Sequence, residues 1–424
     1  MDFFKVIIRT PLFKITSLNG ISVFIKIIIG LITSKILAIF VGPSGMALVG
    51  NFRNFLTTIE SISTLGFQNG IVKYVVEAKD HNAQLKKIIT TVSISLILIS
   101  LILSSILFYF SKDLNAYIFG NTFEYSFVFS ALALVLPWYA ISIFFISVIN
   151  GLGRFKRVIY INIIGNSIGL LVSILMILEY KTLGALLSIV IAPSLLFFVT
   201  FYFISKEFDF LKTISFESFD FKIIKKLASY SLMALVSSVL GPLVFLAIRK
   251  NVIDTVGIEQ AGFWETMTRV SNYYLMFIST ILTVYFFPKL ALAKDRLASK
   301  KVFWSYYKGI MPLFMIVLVV IYFGRELLIQ LLFTKDFLEV SPLFLWQLVG
   351  DFFKAGSLIL GYQFFAKKLT MAFIITEISS LFMMYVFSIY FVDLFGIEGV
   401  VIAHALTYFI YWIVLGFYFR KNLI

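Results

Sequence analysis

Apolar residues along this chain gather in long unbroken runs, with short basic segments between them. A run of about 20 apolar residues crosses the hydrocarbon core of a bilayer as a helix. Such runs lie near residues 18–41, 46–77, 86–111, 123–150, 158–179 and 183–205, then 223–249, 258–288, 302–323, 338–366, 370–392 and 397–419. They predict an all-α polytopic membrane protein with twelve transmembrane helices. The second, eighth and tenth runs exceed the bilayer thickness and are expected to tilt, kink or protrude. A transmembrane β-barrel would instead need short segments of alternating polarity.

The most polar interruption, Lys206–Lys226, falls near the middle of the chain and leaves six helices on either side. The halves align weakly at an offset of 214, which puts Lys86-Lys87 on Lys300-Lys301, Phe119 on Phe333, Phe123 on Phe337 and Lys35 on Arg249. One or two further residues bring Gly42 onto Gly257 and Arg53 onto Arg269. The expected organisation is an N-terminal lobe over 1–206, a cytoplasmic linker over 207–222 and a C-terminal lobe over 223–424. The lobes would be pseudo-symmetric about an axis along the membrane normal, around a central cavity.

Composition agrees, since 60% hydrophobic content with 49 Phe does not describe a soluble domain with one core. The net charge of +14 resides in loops instead of one patch or recognition helix, which argues against a nucleic-acid partner. Alternate loops, among them those holding Lys5, Arg9 and Lys14, Lys79, Lys86 and Lys87, Arg154, Lys156 and Arg157, and Lys289, Lys294 and Arg296, carry most of the Lys and Arg. The opposite loops hold six, including Lys181 and Arg249, so both termini are expected in the cytoplasm. Met1–Lys14 lacks the apolar core and cleavage site of a signal peptide, so the first helix is expected to stay as an anchor. With no Cys and only His81 and His404, neither with a convincing partner in sequence, disulfides, thiol catalysis and a His-rich metal centre are excluded. No nucleophile elbow, Walker loop or zinc-protease motif occurs, so neither an enzyme nor a cofactor is expected.

Chemistry is sought in the charges inside the apolar runs. A charge at the bilayer centre costs roughly 2.5–3.5 kcal/mol on insertion scales and therefore faces a protein interior or a wet cavity. Lys26, Lys35, Arg53, Arg249 and Arg269 are the candidate cations, and their common sign suggests an anionic cargo held by charge-assisted hydrogen bonds. Asn19, Ser22, Lys26, Gly30 and Thr33 form a polar or small stripe on the first helix, with Lys35 on its opposite side. The competing readings are snorkelling of Lys35, Arg53 and Arg249 to an interface, and local ion pairs of Arg53 with Glu60, Arg269 with Glu265, and Lys354 with Asp351. Asp351 and then Glu60 are the candidates for ion coupling; Lys354, Lys73 and Glu377 are supporting residues, with Lys73 read mainly as an anchor. Trp138, Trp264 and Trp346 are read as interfacial belts before sugar platforms.

The run Lys35-Ile-Leu-Ala38, Gly42-Pro43-Ser-Gly45 and Asn51-Phe52-Arg53 resembles the first two helices of the O-antigen translocase (Wzx) and lipid III flippase family, in the multidrug/oligosaccharidyl-lipid/polysaccharide exporter superfamily. Asn69-Gly70-Ile-Val-Lys73-Tyr74, Met233-Ala-Leu, Arg249-Lys250, Trp346-Gln347-Leu-Val-Gly350-Asp351 with Lys354, and Glu377 are similar to it as well. The resemblance implies a flippase that moves undecaprenyl-diphosphate-linked oligosaccharide from the cytoplasmic to the periplasmic leaflet of a bacterial inner membrane by alternating access. It further implies a proton or sodium counter-ion, and a glycan polymerase and chain-length regulator as partners. O-antigen, common-antigen and capsular glycans stay open as cargo. The alternatives are a drug or cation antiporter of the same superfamily, a membrane glycan polymerase, and a non-transporting scaffold.

Overall fold

The computed structural model describes residues 11–293 and 295–423. Lys5, Arg9 and Lys294, used above to orient the chain, lie outside them. The first half comprises α1 (Pro11–Phe40), α2 (Gly42–Ser63), α3 (Gln68–Ala78), α4 (Asn82–Tyr109), α5 (Ser111–Phe119), α6 (Ser126–Gly151), α7 (Phe155–Ser205) and α8 (Phe210–Thr213). The second comprises α9 (Phe221–Val256), α10 (Ile258–Ile281), α11 (Phe287–Leu292), α12 (Arg296–Phe323), α13 (Arg325–Leu332), α14 (Phe344–Lys367), α15 (Thr370–Phe395), α16 (Glu398–Tyr418) and α17 (Arg420–Leu423). No strand occurs among the described residues.

A straight helix of the 51 residues of α7 would be about 77 Å long, far beyond a bilayer about 30 Å thick. The chain instead turns back at Lys181, where φ is +48° and ψ −120°. Gly184 then lies so close to the carbonyl of Met176 that any side chain would collide with it. Among the described residues, ten helices are long and apolar enough to cross a membrane, α7 among them. With α7 crossing twice, and α2 and α3 together supplying one more crossing, the number of spans reaches twelve.

Each of the three overlong runs is broken. α2 gives way to α3 at Leu65 and Gly66, both with positive φ (+52° and +61°). α10 passes through a π-helical turn, Leu282–Phe286, into α11. α14 is preceded by a 3₁₀ segment, Lys335–Leu343, that contains Pro342. These breaks expose the repeat better than residue identities do. Gln68 and Leu282, Asn82 and Arg296, and Ser111 and Arg325 are element starts 214 residues apart, and α4 and α12 are both 28 residues long.

The chain forms two compact units. One takes α1 through Thr33 together with Asn51–Pro242; the other takes Ser34–Gly50 and Leu243 onward. This division runs through α1, α2 and α9 instead of the 207–222 segment. That segment is docked on the first unit: Thr90 Oγ1 donates to the Thr213 carbonyl at 3.2 Å, and the Asp220 amide donates to Thr91 Oγ1 at 3.0 Å. The core of this unit joins Val75 of α3, Ile88 and Val92 of α4, Phe144, Phe145 and Val148 of α6, and Ile161 and Ile204 of α7. In the second unit, Tyr306 and Tyr307 of α12 donate to the Ala355 and Gly356 carbonyls of α14 at 2.9 and 2.8 Å. Trp412 Nε1 of α16 donates to Tyr307 Oη at 3.1 Å. Aromatic residues with polar tips thus fasten three apolar helices where water cannot satisfy the donors.

Candidate functional site: two buried polar clusters on one helix

Gly257, at a φ of +102°, ends α9 and starts α10. The tight reversal brings Arg249 of α9 beside the start of α10, where Glu265 and Arg269 are one turn apart. Glu265 Oε2 accepts from Arg249 Nη2 at 2.7 Å and Oε1 accepts from Arg269 Nε at 2.8 Å. Exposure is 1% for Arg249 and 4% for each of the other two, so the surface-snorkelling reading of Arg249 does not hold. The Trp264 ring lies 5.0 Å from the Arg249 guanidinium and is stacked on Phe245. A Cβ on Gly50 of α2 would strike the Glu265 carboxylate and the Arg249 guanidinium, so glycine is what lets α2 come this close.

The local ion pair expected for Arg269 and Glu265 is present, but one carboxylate faces two guanidiniums. Arg249 Nε and Nη1 and Arg269 Nη2 have no hydrogen-bond partner among the described residues. A buried cation without a full complement of partners is costly, and an anion able to reach these nitrogens would remove that cost.

Farther along α10, Ser271 and Tyr274 turn toward α14. Ser271 Oγ and Tyr274 Oη donate to Asp351 Oδ2 at 2.6 and 2.5 Å. His404 Nε2 of α16 lies 2.9 Å from Asp351 Oδ1, and Gln347 Nε2 is 3.2 Å from both carboxylate oxygens. Asp351 is fully buried and His404 is 3% exposed. The expected Asp351–Lys354 neighbourhood is widened by the fold: Lys354 is hydrogen-bonded to Tyr408 and within electrostatic reach of Asp351, His404 and Glu377. Glu377 of α15 is also in reach of Tyr411. Asp351, Lys354 and Glu377, singled out separately in the sequence, therefore converge.

The other candidates are placed elsewhere. Lys35 donates to the carbonyls of Gln330, at 3.0 Å, and Phe333, at the C-terminal end of α13. Lys26 and Arg53 are exposed, on α1 and α2. Glu60 is hydrogen-bonded to Tyr139 of α6. Lys73 pairs with Glu77 at 3.6 Å on the surface of α3. Trp264 is a buried wall and not a belt residue, whereas Trp138 and Trp346 are 52% and 40% exposed.

Sequence reasoning missed His404, Ser271, Tyr274, Tyr139 and Gly50. His404, Thr407 and Tyr411 recur at i, i+3 and i+7, and Ser271 and Tyr274 at i, i+3, which is a helical polar stripe. Finding their partner needed the packing of α10, α14 and α16.

Residues 12–293 match the family described as polysaccharide biosynthesis protein. The chain is 28% identical over 404 residues to the lipid III flippases of Escherichia coli strain K12 and of Shigella flexneri, covering 92% of this chain and 94% of each relative. Among solved structures, an inward-facing multidrug-resistance MATE transporter of the MOP superfamily superimposes with a TM-score of 0.76 at 17% identity, covering 93% of this chain and 94% of the other. A MOP superfamily transporter from Pyrococcus furiosus, described as having a binding pocket of reverse polarity, gives 0.69 at 17% identity, with 98% and 97% covered. The twelve-helix transporter fold is shared across these proteins.

Proposed function

The chain belongs to the polysaccharide biosynthesis protein family, and from that premise we propose that it is a flippase for a polyprenyl-diphosphate-linked oligosaccharide. The observation that carries this reading is the excess of guanidinium over carboxylate at Arg249, Glu265 and Arg269, buried in a membrane protein. A diphosphate is the complementary group: Arg binds phosphate oxygens through paired N–H donors, and the unpaired nitrogens of both arginines are the donors on offer. Lys26 and Arg53 are assigned further contacts with the anionic cargo, and Lys35 a structural role at the end of α13.

The flippase acts in a bacterial inner membrane with both termini in the cytoplasm, delivering cargo to the periplasmic leaflet by alternating access. There a glycan polymerase and its chain-length regulator would receive it. A counter-ion loads at the Asp351 cluster, with Glu60 and its partner Tyr139 as a second acid site. A drug or cation antiporter would favour an acidic site over the arginine pair.

The test uses cells lacking the protein, complemented with wild type, Arg249→Gln or Arg269→Gln at matched membrane levels. The expected result is loss of surface glycan, with the lipid-linked unit held on the cytoplasmic face. Units that reach the periplasmic face and fail only to lengthen would favour the polymerase reading instead.

A further inference from the structure

We propose that an exposed apolar trench between α12 and α14 of the second unit seats the polyprenyl chain of the cargo. The identity of that chain rests on the flippase reading. Met311, Met315, Val319 and Tyr322 recur on α12 at i, i+4, i+8 and i+11, and Leu345, Leu348, Val349 and Phe352 on α14 at i, i+3, i+4 and i+7, so each helix presents one apolar stripe. Two hollows lie along these stripes and share Met315 and Phe352 as walls. A third follows at Arg325 and shares Tyr322 and Leu345 with its neighbour. No charged side chain lines the first two among the described residues.

The aromatic walls turn their polar tips into the protein. Trp304 Nε1 donates to the Leu423 carbonyl at 3.1 Å, Trp412 Nε1 to Tyr307 Oη at 3.1 Å, and Tyr307 Oη to the Gly356 carbonyl at 2.8 Å. Ring carbon is what remains to face the trench. Pro312 interrupts the hydrogen-bond ladder of α12 beside it, and at Gly416 of α16, another wall, an added Cβ would meet no heavy atom within 4 Å. The space is therefore real and is kept by a residue without a side chain.

Length and charge select the occupant. From Trp304 to Phe323, both trench walls, α12 rises about 29 Å, close to the roughly 30 Å of a bilayer's hydrocarbon core. An acyl chain of a phospholipid reaches about half of that, because the leaflets meet at the midplane; a polyprenyl chain fills it from end to end. Lys308 stands at one end, its Nζ 5.4 Å from the Trp304 ring, and α17, tied to Trp304 through Leu423, adds the exposed Arg420 and Lys421. Arg325 stands at the other end, donating to Ser341 Oγ at 2.9 Å. Cations at the ends of an apolar trench complement a phosphate carried on a hydrocarbon chain. At the Arg325 end, Glu339 accepts from Gln260 of α10 at 3.5 Å, and Gln260 precedes Glu265 by about 7.5 Å along that helix. The trench thus ends beside the helix that carries the arginine cluster, and its full height receives the chain from either leaflet, as translocation of the head requires.

The test uses full-length protein in lipid nanodiscs with two photoreactive probes, a polyprenyl diphosphate and a phosphatidylglycerol, each carrying a diazirine on its hydrocarbon. Mass spectrometry of the labelled peptides is expected to place the polyprenyl probe on Met311–Phe323 and Leu345–Phe352, displaced several-fold more effectively by unlabelled polyprenyl diphosphate than by phosphatidylglycerol. Gly416→Phe fills one hollow where the fold leaves room, and Val319→Trp fills the next; both should cut this labelling several-fold and lower surface glycan at matched membrane levels. Equal displacement by phosphatidylglycerol would make the trench an ordinary lipid seat and overturn the proposal, as would wild-type labelling or wild-type export in both filled variants. Arg249→Gln is expected to lose export and keep the trench labelling, so failure of the flippase reading shows in that variant and failure of the trench in the other two.

Discussion

Glu265 hydrogen-bonds both buried arginines of the first cluster, which makes its removal a severe change there. Breaking a buried ion pair by deleting one partner costs about 3–5 kcal/mol. Glu265→Gln is expected to lower thermal stability on that scale in detergent, whereas Glu265→Gln combined with Arg249→Gln restores the original net charge and should recover most of it without recovering export. Stability recovered together with export would show that the arginine excess has no part in cargo binding. Gly50→Ala is expected to act through the same cluster, since its methyl group would meet the Glu265 carboxylate; overpacking of this kind costs about 1–3 kcal/mol, readable as a lower unfolding temperature. Individual charges were legible in the sequence because lipid makes them anomalous. His404, Ser271 and Tyr274 were not, because a lone histidine or hydroxyl in a helix announces nothing until another helix brings a carboxylate to it.

At the level of elements, the apolar runs foretold the helices and even which of them would break, because run length against bilayer thickness is a purely one-dimensional comparison. Which residues cap or fasten those helices depends on three-dimensional neighbours. Lys35 illustrates this: read as a cargo ligand, it sits instead at the negative end of α13. A cation at a helix C-terminus is worth about 0.3–1 kcal/mol, and up to about 2 kcal/mol where partly buried. Lys35→Met should therefore reduce stability by that order while leaving most export intact; an export defect as deep as that of Arg249→Gln at equal stability would return Lys35 to the cargo site. Lys181 is the other element-scale position, since a side chain with φ of +48° and ψ of −120° is strained by about 1–3 kcal/mol. Lys181→Gly is expected to raise the unfolding temperature, and a lowered one would mean that the lysine makes a compensating contact.

For the whole molecule, the absence of cysteine becomes a tool. Single cysteines at Lys156 and Lys181, on loops assigned to opposite faces by their charge, should react with a membrane-impermeant thiol reagent from the cytoplasmic and the periplasmic side respectively. The reverse pattern would invert the topology. Sequence reasoning reached the twelve spans and the repeat, since both follow from spacing along the chain. It did not reach the division into units, which cuts through α1, α2 and α9 because a membrane-long rod can pack one end with one set of neighbours and the other end with another.

Arg269 and Ser271 stand two positions apart on α10, one bonded into the arginine cluster and the other into the Asp351 cluster. A rigid rod gripped at both places cannot rotate or slide for one without doing so for the other. Thermodynamic reciprocity then sets the terms: with cargo and counter-ion held at the two clusters as proposed, whatever factor one ligand contributes to the affinity of the other is returned in full. On that assignment, cargo preference and energy source share a single stretch of two dozen residues, and mutations there are expected to retune both.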